Sequence, residues 1–295
     1  MKDNTLLRNT SLITDNIFRF WKRFKKNRAA FIGLYIFLFF LFVAISSPII
    51  SPYDPFDMDL HNPDAPYQSP NSEHLLGTDA FGRDQLSRMM YGARTSLFIG
   101  FLSTSLSLVI GTVIGSIAGY YGGKIDNLLM RFVDAFLMLP TFFLILVIAA
   151  IFGSSIWNVM WILGLTGWPG ITRLIRGGFL TFKNMDFVVA AKGVGASDSN
   201  IIFRQILPNA IYPAIVDASM RVSGAIMTEA SLSFLGLGDP NTVSWGWLLN
   251  EAMRAFRIAW WLPLFPGLSI TILAVAFNLI GDGLNDALNP HLKER

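Results

Sequence analysis

Charged side chains are scarce in this sequence, so each one inside an apolar run asks for a reason. Asp217, Arg221 and Glu229 fall within the otherwise apolar stretch Asn209 to Leu235. Asp217 and Arg221 stand four apart, which puts them on one helix face within pairing reach. Glu229 follows eight residues later, roughly on the same face. An arginine near mid-bilayer costs roughly 2.5 to 3.5 kcal/mol on insertion scales, so it must face a partner or water. Two chemistries fit. One is a structural Asp217–Arg221 pair. The other is a passage lining in which Asp217 or Glu229 meets an amino group and Arg221 a carboxylate.

Other constellations exclude chemistry. There is no cysteine, hence no disulfide, iron–sulfur or thiolate metal site. The histidines, His61, His74 and His291, all lie in polar segments and read as loop residues, with no metal site expected. "DPFDMDL" (54–60) lacks the glycine turn and closing glutamate of a calcium loop. "AGYYGGKID" (118–126) lacks the first glycine of a phosphate-binding loop and the Ser or Thr after its lysine. No catalytic set is visible, so no enzymatic activity and no cofactor are expected in the chain itself.

The elements that must hold these residues are membrane helices. Of 295 residues, 53% are hydrophobic and only 15% charged, against about 25% charged in soluble domains. This excludes a cytosolic enzyme, a disordered chain and a nucleic-acid binder. Uncharged runs cover Ala29 to Ile50, Ser96 to Tyr121, Ala135 to Thr172 and Ile258 to Gly281, each long enough for the ~20 residues of a span. The third run is long enough for two spans turning at Gly153, Ser154 and Ser155, and Asn209 to Leu235 adds another. Six spans with both termini cytoplasmic leave 17 Lys and Arg on the inner side and 5 outside, as the positive-inside rule requires.

The expected organisation is therefore a basic amphipathic segment (1–28), a first span (29–50) and an extracytoplasmic loop (51–95). A domain of five further spans (96–290) and a short tail (291–295) follow. Ile17, Phe20, Trp21 and Phe24 repeat at helical spacing and suit a helix on the membrane surface. Thr78 or Asp79 can cap a helix running to Gly92. Gly111, Gly115 and Gly119 form a small-residue stripe for close helix packing. Gly122 and Gly123 read as a turn. The inner segment 181–208 is patterned as helix, glycines, helix: Phe187 to Lys192, then Gly193 and Gly195, then a Ser197 or Asp198 cap over Asn200 to Leu207.

The stretch "VAAKGVGASDSNIIFRQILPN" (189–209) resembles the EAA motif of permease subunits in binding-protein-dependent ABC importers. Ala190, Ala191, Gly195, Leu207 and Pro208 match, and Val189 stands where glutamate is usual. "LLGTDAFGRDQLSRMMYGARTSL" (75–97), "TEASLSFLGLG" (228–238) and "FNLIGDGLNDALNP" (277–290) resemble the C-type permease of dipeptide and oligopeptide importers. The resemblance implies a type I importer permease fold in a bacterial or archaeal cytoplasmic membrane. It also implies a homologous second permease, two cytoplasmic ATPases that bind ATP and magnesium, and an extracytoplasmic peptide-binding protein as partners. It makes Phe187 to Gly195 the coupling helix to the ATPases. Nickel-chelate and glutathione importers use similar subunits. An ion-coupled secondary carrier would also place charge among six spans, but gives no reason for the patterned inner loop.

Overall fold

The computed structural model describes residue 18, residues 20–59 and residues 61–288; Ile17, His291 and the tail lie outside them. Its elements are helices throughout: α1 (Arg28–Ile50), α2 (Gln85–Tyr121), α3 (Gly123–Leu137), α4 (Thr141–Phe152), α5 (Ile156–Phe182) and α6 (Asp186–Gly193) come first. Then follow α7 (Asp198–Asn200), a π-turn (Ile201–Ile206), α8 (Leu207–Ala210), α9 (Tyr212–Phe234), α10 (Trp245–Met253) and α11 (Trp261–Leu288).

Among the described residues three helices, α1, α2 and α11, are long and apolar enough to cross a membrane. The pair α3 and α4 makes a fourth if its 79° bend interrupts a single span. The expected turn lies at Gly153, but the uncharged run that begins at Ala135 also bends before it. Pro140 precedes α4, and a proline disfavours helix in the residue before it, so α4 keeps only 12 residues up to the Gly153 turn. The helices α5 and α9 have 27 and 23 residues, length enough for a bilayer. Their ionisable residues, Arg173 and Arg176 in α5 and the 217–229 set in α9, set them apart from the apolar helices.

The second span extends far beyond its uncharged core. α2 runs for 37 residues, about 55 Å at 1.5 Å per residue, so it must project past a ~30 Å hydrocarbon layer. Neither Thr78 nor Asp79 caps it. The Asp84 carboxylate does, accepting from Ser87 N at 2.7 Å. Nor does Gly92 end it: a Cβ there would lie 2.7 Å from Trp245 Cδ1, so that glycine exists for close approach. Thr78 instead organises the proline-rich loop, donating to Ala65 O and accepting from Gln68 N.

α2 packs along α5, and α11 packs against α1 and α9. Where α2, α9, α10 and α11 meet, fully buried Trp245 sits among Ala93, Leu97, Val222, Ile226 and Leu273. Its indole donates to Met89 O at 3.0 Å. The helical residues 20–24 before α1 are partly used inside the protein: Phe24 is buried with Ala30 and Ala287, while Trp21 stays exposed. Asn27 caps α1 and donates to Asp286 at the end of α11.

Candidate functional site

Among the described residues three clusters carry the polar chemistry, one beyond the C-terminal end of α5, one in mid-helix and one around the start of α2.

The first is built on α6. Val188 is its buried anchor, packed with Phe179, Ile201 and Ile206, while Phe187, Val189, Ala190, Lys192 and Val194 are exposed or half-buried. With only Val188 buried and Ala191 half-buried against the same cluster, most of the circumference of this short helix is open. Gly195 closes it with φ +78°, a left-handed conformation that costs other L-residues roughly 1–2 kcal/mol. Ser197 then starts α7 by accepting from Asn200 N. Pro208 has no N–H to continue the α ladder; just before it Leu207 N bonds back to Ile202 O, the signature of the π-turn. Leu207 lies against the same cluster and Pro208 is exposed.

Sequence reasoning missed what ties this unit to α2. Lys192 Nζ lies 5.7 Å from the centre of the Tyr120 ring, and Tyr120 donates to Asp198 Oδ1 at 2.6 Å. Next to it Lys183 donates to Gly119 O, and Arg176 grips Asp126 of α3 with two nitrogens. The only signal available was a tyrosine just after the glycine stripe.

The stripe itself seats α2 on α5. A Cβ on Gly111 would lie 2.7 Å from Ile171 Cβ, one on Gly115 2.6 Å from Thr172 O, and one on Gly119 against Phe179 Cβ.

In the second cluster the structure brings Asp217 and Arg221 together as an ion pair, each side chain about one third exposed at 32% and 35%. Arg221 Nη1 also donates to Gly167 O of α5 at 3.3 Å, and Gly170 leaves room for its Nη2. Glu229 does not join this pair. It is buried, and its Oε1 accepts from Ser233 and from Ser244, both at 2.7 Å. Since Ser244 caps α10, Glu229 fastens α10 to α9.

The third cluster, absent from the sequence reading, joins the turn before α2 to α10. Arg83 Nε binds Asp79 Oδ2 at 2.6 Å and its Nη2 binds Glu251 Oε1 at 2.9 Å. Arg88, almost fully buried, also binds Asp79, and its Nη1 lies 2.7 Å from Glu251 Oε2 as a charge contact rather than an aligned hydrogen bond. Beside them His74 pairs with Asp84 at 2.9 Å. Two arginines and two carboxylates balance, with a cavity of about 280 Å³ alongside.

Burial pushes the Glu251 carboxyl up, but Arg88 and Arg83 outweigh it and hold the group below the ordinary glutamate value. A lowered folded value contributes stability that is complete above ~4.3, the unfolded value. That contribution is lost as pH falls through the folded value. Glu251→Gln is therefore expected to lower the melting temperature at neutral pH, with the gap to the parent closing below about pH 4. Melting curves of the detergent-purified chain across that range check it; a gap independent of pH contradicts the assignment.

Comparison with known proteins follows the same outline. Residues 111–294 match the family model described as "binding-protein-dependent transport system inner membrane component". Residues 18–70 match "N-terminal TM domain of oligopeptide transport permease C". The chain is 46% identical to the dipeptide transport system permease protein of Escherichia coli, over 93% of each chain. It is 42% identical to that of Haemophilus influenzae, over 93% of this chain and 95% of the relative. A glutathione transport system permease protein of Pectobacterium atrosepticum is 40% identical over 93% and 91%. In fold, the chain is similar to a chain of the MetNI methionine ABC transporter in an inward facing conformation. There the TM-score is 0.56 at 18% identity, covering 68% of this chain and 96% of the other.

Proposed function

We propose, from the premise that the chain belongs to the binding-protein-dependent transport system inner membrane components, that it is a permease subunit of an ATP-driven importer of dipeptides and oligopeptides. The observation that carries this is the 42% and 46% identity, along nearly the whole length, to dipeptide permeases. A glutathione substrate is the second reading, favoured by the Pectobacterium relative.

In this reading the chain crosses a bacterial or archaeal cytoplasmic membrane six times, both termini inside, with α5 and α9 among the spans. A homologous permease completes the pathway. An extracytoplasmic binding protein delivers the peptide, and two cytoplasmic ATPases bind ATP and magnesium. Affinity purification of the tagged chain from its native membrane is expected to recover a second permease and ATPase subunits in stoichiometric amounts. A folded homo-oligomer without ATPase would overturn the assignment. Competition of labelled dipeptide uptake by glutathione separates the two substrates.

Energy enters through α6. ATP-driven closure of the ATPases displaces the docked helix, and packed contacts pass that motion to the spans as a rigid body. What supports this role is a helix seated by Val188 and Ala191, ended by Gly195 and tied to Tyr120. Asp217 and Arg221 line the pathway on the exposed side of α9. They are partly exposed, whereas a purely structural pair in a membrane domain is normally sealed among helices.

Two variants separate coupling from passage in the reconstituted complex. Gly195→Val is expected to insert normally yet cut both peptide uptake and substrate-stimulated ATP hydrolysis about tenfold, the factor that about 1.4 kcal/mol of backbone strain represents. Arg221→Ala is expected to slow uptake while ATP hydrolysis persists. Normal uptake by the first sinks the coupling role of α6, and unchanged uptake by the second sinks the pathway role of Arg221.

A further inference from the structure

Arg94, on α2 just before its uncharged run begins at Ser96, borders two clefts at once. One, of about 370 Å³, is lined by Tyr91, Thr95, Asn241 and Thr242, with Phe56 and Ile156 behind them. The other, of about 450 Å³, follows the groove between α1 and α2 and is lined by Leu41, Ile45, Pro48, Leu97, Phe101 and Leu102. Arg94 and Phe98 belong to both walls. A polar opening and an apolar one therefore meet at a guanidinium.

That guanidinium is available. Arg94 is exposed, and among the described residues no carboxylate pairs with it. Neither cleft is lined by an acid. Asp239, in the loop beside the polar cleft, has its two oxygens occupied by the N–H groups of Ile156 and Asn241.

The setting fits a membrane boundary. Trp157 packs edge-on against Phe98 at 5.8 Å, and Tyr91 lines the polar cleft; Trp and Tyr concentrate at headgroup level. Along the apolar cleft α1 continues with Ile45 70% and Ile49 86% exposed, a surface that suits hydrocarbon rather than water.

We propose that these two clefts form a binding site for one anionic phospholipid. Its phosphate sits on Arg94 with the Thr95 hydroxyl and the Asn241 side-chain amide as further donors. One acyl chain lies along the α1–α2 groove past Phe98. Charge selects the headgroup: a choline or ethanolamine would bring a second cation to a site with an unpaired arginine and no acid. The inference needs α1 and α2 to cross the membrane and is independent of the substrate carried.

Native mass spectrometry of the purified full-length chain, offered phosphatidylglycerol or phosphatidylcholine with matched acyl chains, tests it. The expected result is one phosphatidylglycerol retained about tenfold more tightly than phosphatidylcholine, the scale of one charge-assisted contact. Arg94→Gln should abolish the difference, and Arg94→Lys should keep some of it. Ser105 also lines the apolar groove, and Ser105→Trp, adding bulk there, should weaken retention of both lipids. Excess inorganic phosphate should not displace the bound lipid. Equal retention of the two lipids by the parent overturns the proposal, as does undiminished phosphatidylglycerol retention by Arg94→Gln or displacement by phosphate. If Arg94→Gln fails to fold, the parent and Arg94→Lys decide between the same outcomes.

Discussion

Arg88→Ala is expected to destabilise the chain by about 3–5 kcal/mol, the cost of removing one member of a buried charge network. Arg88 is 2% exposed, and its loss would leave Asp79 and Glu251 sharing Arg83 alone. At a few degrees of melting temperature per kcal/mol, the drop should be roughly 10 °C. The proof that charge imbalance rather than lost volume is responsible lies in a second variant. Arg88→Met with Glu251→Leu removes one charge of each sign and keeps the Asp79–Arg83 pair. Replacing buried ions by apolar groups of similar size is often neutral or better, so the double variant should recover most of the loss. Thermal unfolding in detergent measures both. A double variant as unstable as the single one would show that packing, not charge, holds α10 to α2.

Substituting Gly115 should act at the other end of α2. Its α-carbon faces Thr172 O and Ile175 Cβ so closely that even a methyl group would sit 2.6 Å and 2.8 Å from them. One obstacle is backbone, which cannot rotate away. Overpacking a core commonly costs 1–3 kcal/mol. Gly115→Leu must push α2 and α5 away from each other along their shared length, so about 3 kcal/mol or more is expected, with Gly115→Ala intermediate. Lipid tails provide no hydrophobic drive to hold helices together once close packing is lost. The readout is the folded fraction after detergent extraction. A Leu variant as stable as the parent would mean that the glycine stripe does not set the α2–α5 distance.

The difference between what the residues announced and what they hid is physical. The helix–glycine–helix pattern of residues 186–200 was legible because glycines at 193 and 195 and a capping serine at 197 are local signals, and local signals survive without a partner. The Asp217–Arg221 pair was legible for the same reason, since four residues apart on a helix fixes the geometry. Glu229 defeated that arithmetic. Periodicity reports the angle around a helix, and not which neighbour stands there; α10 does, through Ser244. The network of Arg83, Arg88 and Glu251 was invisible because its partners are 168 residues apart for the Arg83 contact. Polar residues that bury one another look like an ordinary loop when read singly. The bend at Pro140 was in plain view, but an uncharged run reports length and not straightness.

The continuity of α2 has a mechanical meaning. One end is clamped by the four-charge network and by Trp245; the other, some 55 Å away, touches the unit that carries Lys192. Because Gly111, Gly115 and Gly119 seat that far half on α5, α2 and α5 form one stiff double rod gripped at one end. If α6 couples to the ATPases as proposed, a push on it tilts the two helices together, with displacement shrinking steadily toward the grip.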